Sequence, residues 1–198
     1  MRSDYTIIAF ATETPEKYPL YLERLKKNCN DLGLPLKTEI LPTPKNTNPK
    51  SQAENDFSIS KKDAATLYKP TFIRQQIEKT DKPVVYVDCD SIFLDAFSPP
   101  EFDFDVGVVR RTSGWAGVSD IVSACIVFNN TFAARMFLNC WCWLCEHENL
   151  CPTGDHKRFL ATRILMAKRT PYYTEADLTP VFSEKLVFNP GERKESRC

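Results

Sequence analysis

The chain has 198 residues, enough for one α/β domain with a substantial core but hardly for two. Apolar residues make up 42% and aromatics 12%, the proportions of a folded globular protein rather than a disordered one. Lysine plus arginine (26) balances aspartate plus glutamate (26), so no whole-chain field draws in nucleic acid or an anionic membrane, and a polyanionic substrate must be met by local charge.

No stretch approaches the roughly 18 consecutive apolar residues of a membrane span. The opening MRSDYTIIAFATETPEKY has too short an apolar run for a signal peptide and reads as a first strand. The eight cysteines are therefore expected as reduced thiols in a cytoplasmic protein rather than as a disulfide framework.

In chain order, Tyr5–Ala11 predicts a buried strand, ended by Thr12-Glu13-Thr14-Pro15. Tyr18–Cys29 predicts a helix from the spacing of Leu22, Leu25 and Cys29, and Pro35–Leu41 a second strand. Residues 42–55 are nearly devoid of apolar side chains and read as a surface loop. Lys62–Lys79 has helical spacing, with Pro70 expected to break or restart the helix. Val84–Val87 (VVYV) is the clearest strand, continuous and β-branched as in a parallel strand covered on both faces. Asp105–Val109 and Ala124–Phe128 predict two more strands, Thr131–Glu146 a helix capped by Thr131 or Asn130, and Asp155–Lys168 another helix. Leu186–Phe188 predicts a last short strand. The alternation of strands and helices predicts a single α/β domain with a central, mostly parallel sheet. There is no internal repeat and no linker, although the abrupt ending KESRC raises the expectation of a longer natural chain.

The central feature is VVYVDCDSIFLD, Val84–Asp95. An apolar strand runs straight into Asp88-Cys89-Asp90, and in extended chain residues i and i+2 share a face, which would aim both carboxylates one way and Cys89 the other. The carboxyl end of a parallel strand is where open α/β sheets bind ligands. Two neighbouring carboxylates repel unless a cation or a shared proton intervenes, and such hard oxygen ligands suit Mg²⁺ or Mn²⁺ completed by phosphate and water. An Asp-x-Asp alone is also the mark of two solvated acids, but its place between a buried strand and the apolar Ile92-Phe93-Leu94 favours the metal reading.

The segment KPTFIRQQIEKTDKPVVYVDCDSIFL (Lys69–Leu94) resembles the helix–strand–DXD core of GT-A-fold (Rossmann-like) glycosyltransferases, which use nucleotide-diphosphate sugars. The resemblance extends to Ala11-Thr12-Glu13, Asp105–Arg111, Ser123–Thr131 and the helix opening TGDHKRFL, and the compact size is similar to glycosyltransferase domains of large DNA viruses. It implies a donor site of Ala11, Thr12 and Glu13 near the nucleotide base, with Asp88, Cys89 and Asp90 at the diphosphate. Asp90 would be the more direct metal ligand, and Asp88 would touch ribose, or the metal through water. Asp155 would stand near the reacting sugar, as general base if the reaction inverts, against a plain capping role; Asp120 is the weaker alternative. Many relatives add a metal-binding histidine near the C-terminus, but the two histidines here are His147 and His156, so that ligand is absent, replaced by water, or supplied by His156. Lys69, Arg74, Arg110, Arg111 and Lys157 are the phosphate candidates, each more often a surface charge, and Trp115 stacks on a sugar or anchors its loop. Function by this resemblance is transfer of a sugar, from a UDP-sugar by preference, to a glycan or other hydroxyl acceptor, with Mn²⁺ or Mg²⁺; a viral member would work in the host cytoplasm.

Two other classes compete. Cys140, Cys142, Cys145, His147, Cys151 and His156 crowd into one stretch and carry zinc-ligand chemistry, which would suggest a zinc-stabilised binding module. Phe137, Trp141, Leu144 and Cys145 fall at helical spacing, however, and no second Cys or His pair follows, so an amphipathic helix with cysteines as small apolar residues is the better reading. A nucleotidyl- or phosphotransferase using the same acid pair would normally bring a glycine-rich phosphate loop, and this chain has six glycines and no GxxxxGK[ST].

Overall fold

A computed structural model describes residues 4–13, 16–43, 67–97, 103–110, 121–147, 155–182 and 185–187; side chains 155 and 156 are not described. The strands are β1 (Thr6–Thr12), β2 (Leu36–Leu41), β3 (Val84–Val87), β4 (Ile92–Phe93), β5 (Val106–Arg110), β6 (Ile121–Phe128), β7 (Glu175–Asp177) and β8 (Leu186–Val187). The helices are α1 (Lys17–Asp31), α2 (Lys69–Ile77), α3 (Phe132–Glu146), α4 (Asp155–Arg169) and the single turn α5 (Thr179–Phe182).

Six strands form one sheet in the order β2-β1-β3-β6-β5-β7, with β4 and β8 paired apart. β1 is parallel to both β2 and β3, and β5 to β7, while β6 runs antiparallel to its neighbours β3 and β5. Five strands therefore point one way, as expected of a mostly parallel α/β sheet. β1 and β3 are buried along their whole length, which explains their unbroken apolar runs.

Alternation along these strands feeds two cores. Ile7, Ala9 and Ala11 of β1, Val85 and Val87 of β3, and Cys125 and Val127 of β6 face α1 through Leu22, Leu25 and Cys29. Ile8 and Phe10, Val84 and Tyr86, and Ile126 and Phe128 face the opposite layer of α2, α3 and α4, with Phe137, Trp141 and Phe159 at its centre. Pro70 falls in the first turn of α2, where its missing N–H costs nothing; residues 62–66 of the expected helix lie outside the described residues. Thr131 caps α3 by accepting the Ala134 N–H at 3.1 Å.

The residue before the β5 strand was expected inside it; instead Asp105 is a buried bracket, its carboxylate accepting from Thr131 Oγ1 and from the Thr174 N–H and hydroxyl. Two elements escape the apolar pattern altogether: β7 (Glu-Ala-Asp) and α5. Close packing in this region leaves no room for a side chain at Gly107 unless its neighbours shift. A Cβ there would stand 2.3 Å from Leu178 Cδ1 and 2.9 Å from Phe104 Cε2. Gly107→Ala is expected to destabilise the fold by about 1–3 kcal/mol, read as a lower midpoint in thermal or urea unfolding; an unchanged midpoint would contradict this packing.

Candidate functional site at the carboxyl edge of the sheet

From β1 the chain passes through α1, on one face, to β2; from β2 it returns through α2, on the other face, to β3. The strand order reverses between β1 and β3, and such a switch point leaves a crevice at the carboxyl ends of the two strands. β1 ends there with Ala11 and Thr12, both buried, followed by exposed Glu13, whose N–H bonds Leu41 O at 3.1 Å. β3 ends there with Val87, and Asp88 follows it. The acid pair and the predicted base-side turn thus meet on one edge, on neighbouring strands.

The extended-chain argument for the two carboxylates does not hold in the structure. Ser91 N–H bonds Asp88 O at 3.0 Å, so Asp88-Cys89-Asp90-Ser91 is a tight turn rather than a continued strand. Strand alternation survives only one residue further: Tyr86 and Asp88 share a face, with Tyr86 Oη donating to Asp88 Oδ1 at 2.7 Å, while Cys89 packs on the α1 side of the core. Burial, then the charges of Asp88 and Asp90, push the Cys89 thiol up to about 12.

Lys69, expected as a phosphate contact, is buried instead. Its ammonium lies 3.2 Å from Asp88 Oδ1, donates to Ser123 O at 3.1 Å, and sits 5.2 Å from the centre of the Tyr86 ring. The Lys69 side chain is 4% exposed and that of Asp88 33%, so one end of the pair is dry and the other faces the crevice. A bulge in β6 makes this possible. Val108 pairs with Ile126 but Val109 pairs with Val122, which frees Ser123–Cys125 from β5; Asp88 N–H then takes Ala124 O at 2.9 Å.

Other candidates lie along the same edge or away from it. Arg110, at the end of β5, is committed to Asp177 at 3.2 Å and to Glu175 at 3.7 Å, and its N–H bonds Thr179 Oγ1. The Asp177 carboxyl, bonded by Thr179 and Arg110, is held below its ordinary value despite a desolvation cost. Arg74 reaches Asn139 on α3, and Lys157 is exposed. Asp155 begins α4, as predicted. α3 starts beside Asp105 at the amino edge, and Thr174, just after α4, also bonds Asp105. Trp115, Arg111, Asp120 and Cys151 lie outside the described residues, as does the His156 side chain.

The cysteine-rich stretch is a packed helix over its described length. Cys142 and Cys145 are buried, Cys142 Sγ lies 3.7 Å from Thr71 Oγ1, and the His147 ring stacks on Trp143. Among the described residues no group of three or more His, Cys, Asp or Glu side chains could hold a metal, and no helix is long and apolar enough to cross a membrane.

Sequence reasoning missed Tyr86, Ser123 and, on α1, Arg24 and Asn28, which hold the chain around Asp90. Arg24 Nη2 donates to Asp90 O at 3.1 Å; Asn28 accepts the Phe93 N–H at 2.7 Å and donates to Phe93 O at 2.8 Å. The signal available in sequence was a polar pair at i, i+4 on a helix whose other face carries Leu22, Leu25 and Cys29.

No protein-family model matches the chain, and no curated protein matches it in sequence. Its similarity lies in structure. A glycosyltransferase involved in the glycosylation of the major capsid of PBCV-1, a large DNA virus, superposes with a TM-score of 0.57 at 13% identity, covering 95% of this chain and 96% of that one. The glycosyltransferase GlyE of Streptococcus pneumoniae TIGR4 superposes with a TM-score of 0.52 at 15% identity, over 89% of this chain but 46% of that one. The chain has the α/β fold of these glycosyltransferases.

Proposed function

We propose that the protein is a glycosyltransferase that moves a sugar from a nucleotide-diphosphate donor, by preference a UDP-sugar, to a hydroxyl acceptor such as a glycan. The observation that carries this reading is the placement of the Asp88–Asp90 turn at the switch point between β1 and β3, in a chain with a glycosyltransferase fold.

Two carboxylates on one turn do not make a closed metal cage, and the described residues add no third acid, thiolate or imidazole. That donor set fits Mn²⁺ or Mg²⁺, which accept a few carboxylates and take phosphate oxygens and water for the rest. Asp90 would be the direct ligand, and Asp88 a ligand or ribose contact through the oxygen that Tyr86 and Lys69 leave over. His156 stands as the candidate third ligand. When bound, the ion would stabilise the charge developing on the departing nucleoside diphosphate. Lys69 and Tyr86 hold the Asp88 carboxylate in one rotamer before any substrate arrives. Ala11, Thr12 and Glu13 would line the nucleotide side, and Asp155 would take the acceptor hydroxyl proton in an inverting reaction.

Titration calorimetry of UDP and GDP, with and without Mn²⁺, tests this. One nucleotide is expected to bind at least about tenfold tighter with Mn²⁺, or roughly 1.4 kcal/mol. Absence of binding by either nucleotide in both conditions would overturn the reading, and Mn²⁺-dependent binding restricted to nucleoside triphosphates would move it to nucleotidyl or phosphoryl transfer.

A further inference from the structure

The turn that carries Asp90 is not held by its own strand. β3 stops at Val87, and the two-residue strand β4 that follows belongs to a separate pair with β8. What ties Asp90–Phe93 down on the sheet side is α1. Arg24 holds Asp90 O, and one turn later the Asn28 amide holds both main-chain groups of Phe93. The Arg24 guanidinium in turn rests 5.0 Å over the Tyr21 ring. Beyond Phe93, the Leu94 N–H bonds Lys185 O, so the far end is secured by β8 and the near end by α1.

The segment also contains polar groups that its present conformation does not satisfy. Ser91 is fully buried with its hydroxyl unpartnered among the described residues, and Arg24 Nε is a second buried donor without a partner. A buried, unmade hydrogen bond costs about 1–3 kcal/mol. A turn free to choose its own conformation would turn Ser91 towards an acceptor; this one is held by contacts from elsewhere.

We propose that Arg24 and Asn28 are positioning residues for the nucleotide site, an α1 strap that fixes where the Asp90 carboxylate stands relative to Asp88. Asp88 is set independently by Lys69 and Tyr86, so the two acids are placed by two different helices on opposite faces of the sheet. The spacing between them, on which a shared diphosphate-bound cation depends, is then a property of the tertiary packing as well as of the turn's own Ser91 N–H to Asp88 O bond. This rests on the reading of Asp88 and Asp90 as the metal–diphosphate grip.

The test uses the full chain, with calorimetry of Mn²⁺ plus UDP (and GDP) and the electron paramagnetic resonance of protein-bound Mn²⁺ as readouts, and Asp90→Asn as control. Arg24→Met keeps the aliphatic stem and removes the donor. It is expected to weaken the metal-dependent nucleotide binding about tenfold, alter the bound Mn²⁺ spectrum, and move Tm by only a few degrees. Arg24→Lys, which restores a donor, should recover most of the binding. Wild-type binding by Arg24→Met would overturn the strap, as would an Arg24→Lys no better than Arg24→Met, since the loss would then come from the surface over Tyr21. Should Arg24→Met fail to fold, Asn28→Ala decides: weakened metal-dependent binding supports the strap and unchanged binding overturns it. If wild-type protein itself shows no metal-dependent nucleotide binding, the acid-pair reading falls and the strap with it. If wild type binds, Asp90→Asn does not and Arg24→Met does, the strap alone falls.

Discussion

Asp90→Asn is expected to lower turnover of the nucleotide-sugar donor by about 10³-fold, roughly 4 kcal/mol of transition-state stabilisation, with the fold intact. The substitution is isosteric and the residue is partly exposed. Its main chain makes two contacts that do not need the carboxylate: Asp90 O accepts from Arg24, and Ser91 N–H on Asp88 O closes the turn. What the substitution removes is one of the two anionic ligands that a diphosphate-bound cation would use, and with it the stabilisation of a leaving group that gains charge as the sugar departs. The measurement is release of nucleoside diphosphate from donor, alongside thermal unfolding. Normal turnover in a folded Asp90→Asn protein would remove the metal hypothesis.

The sequence made the sheet legible because its central strands are buried on both faces and so read as unbroken apolar runs; β1 and β3 lie within a residue or two of where VVYV and YTIIAFA put them. The Thr131 cap and the boundaries of α3 and α4 followed from capping chemistry and 3.6-residue spacing. β7 was illegible because a three-residue edge strand, Glu-Ala-Asp, carries no apolar alternation, and its pairing with β5 is set by Asp105 and Arg110 from elsewhere in the chain. The acid pair was found for a sound reason, the end of a parallel strand, but its geometry was not. A period-two argument cannot foresee that the chain turns at Cys89, because the turn is fixed by Arg24 on α1 and by β4 pairing with β8, both far away in sequence. The burial of Lys69 was illegible for a related reason. In sequence it is one lysine among many, and only the fold brings the Ser123 carbonyl of β6 and the Asp88 carboxylate after β3 to it in a dry pocket.

Asp88→Asn should behave unlike its neighbour, and the difference isolates what Lys69 does. Removing the negative charge takes from a buried ammonium, which also meets Ser123 O and the Tyr86 ring, the carboxylate 3.2 Å away. Removing one partner of a buried ion pair typically costs about 3–5 kcal/mol. The Asp88 end is one-third exposed, so solvent screening reduces this to roughly 2–3 kcal/mol, or a fall in Tm of about 5–10 °C for a chain of this size. Asp90→Asn, which keeps the main-chain bonds to Arg24 and across the turn and strands no buried ammonium, should lower Tm less. Adding Lys69→Met to Asp88→Asn removes the buried ammonium as well, and the double variant is expected to regain most of the lost stability while remaining inactive. That recovery separates an electrostatic penalty from simple loss of a hydrogen bond, which a second substitution would deepen rather than relieve. Equal Tm values for Asp88→Asn and Asp90→Asn would mean that Lys69 is not held by Asp88 in solution. The first acid of the pair would then be a ligand only, with no part in holding the fold.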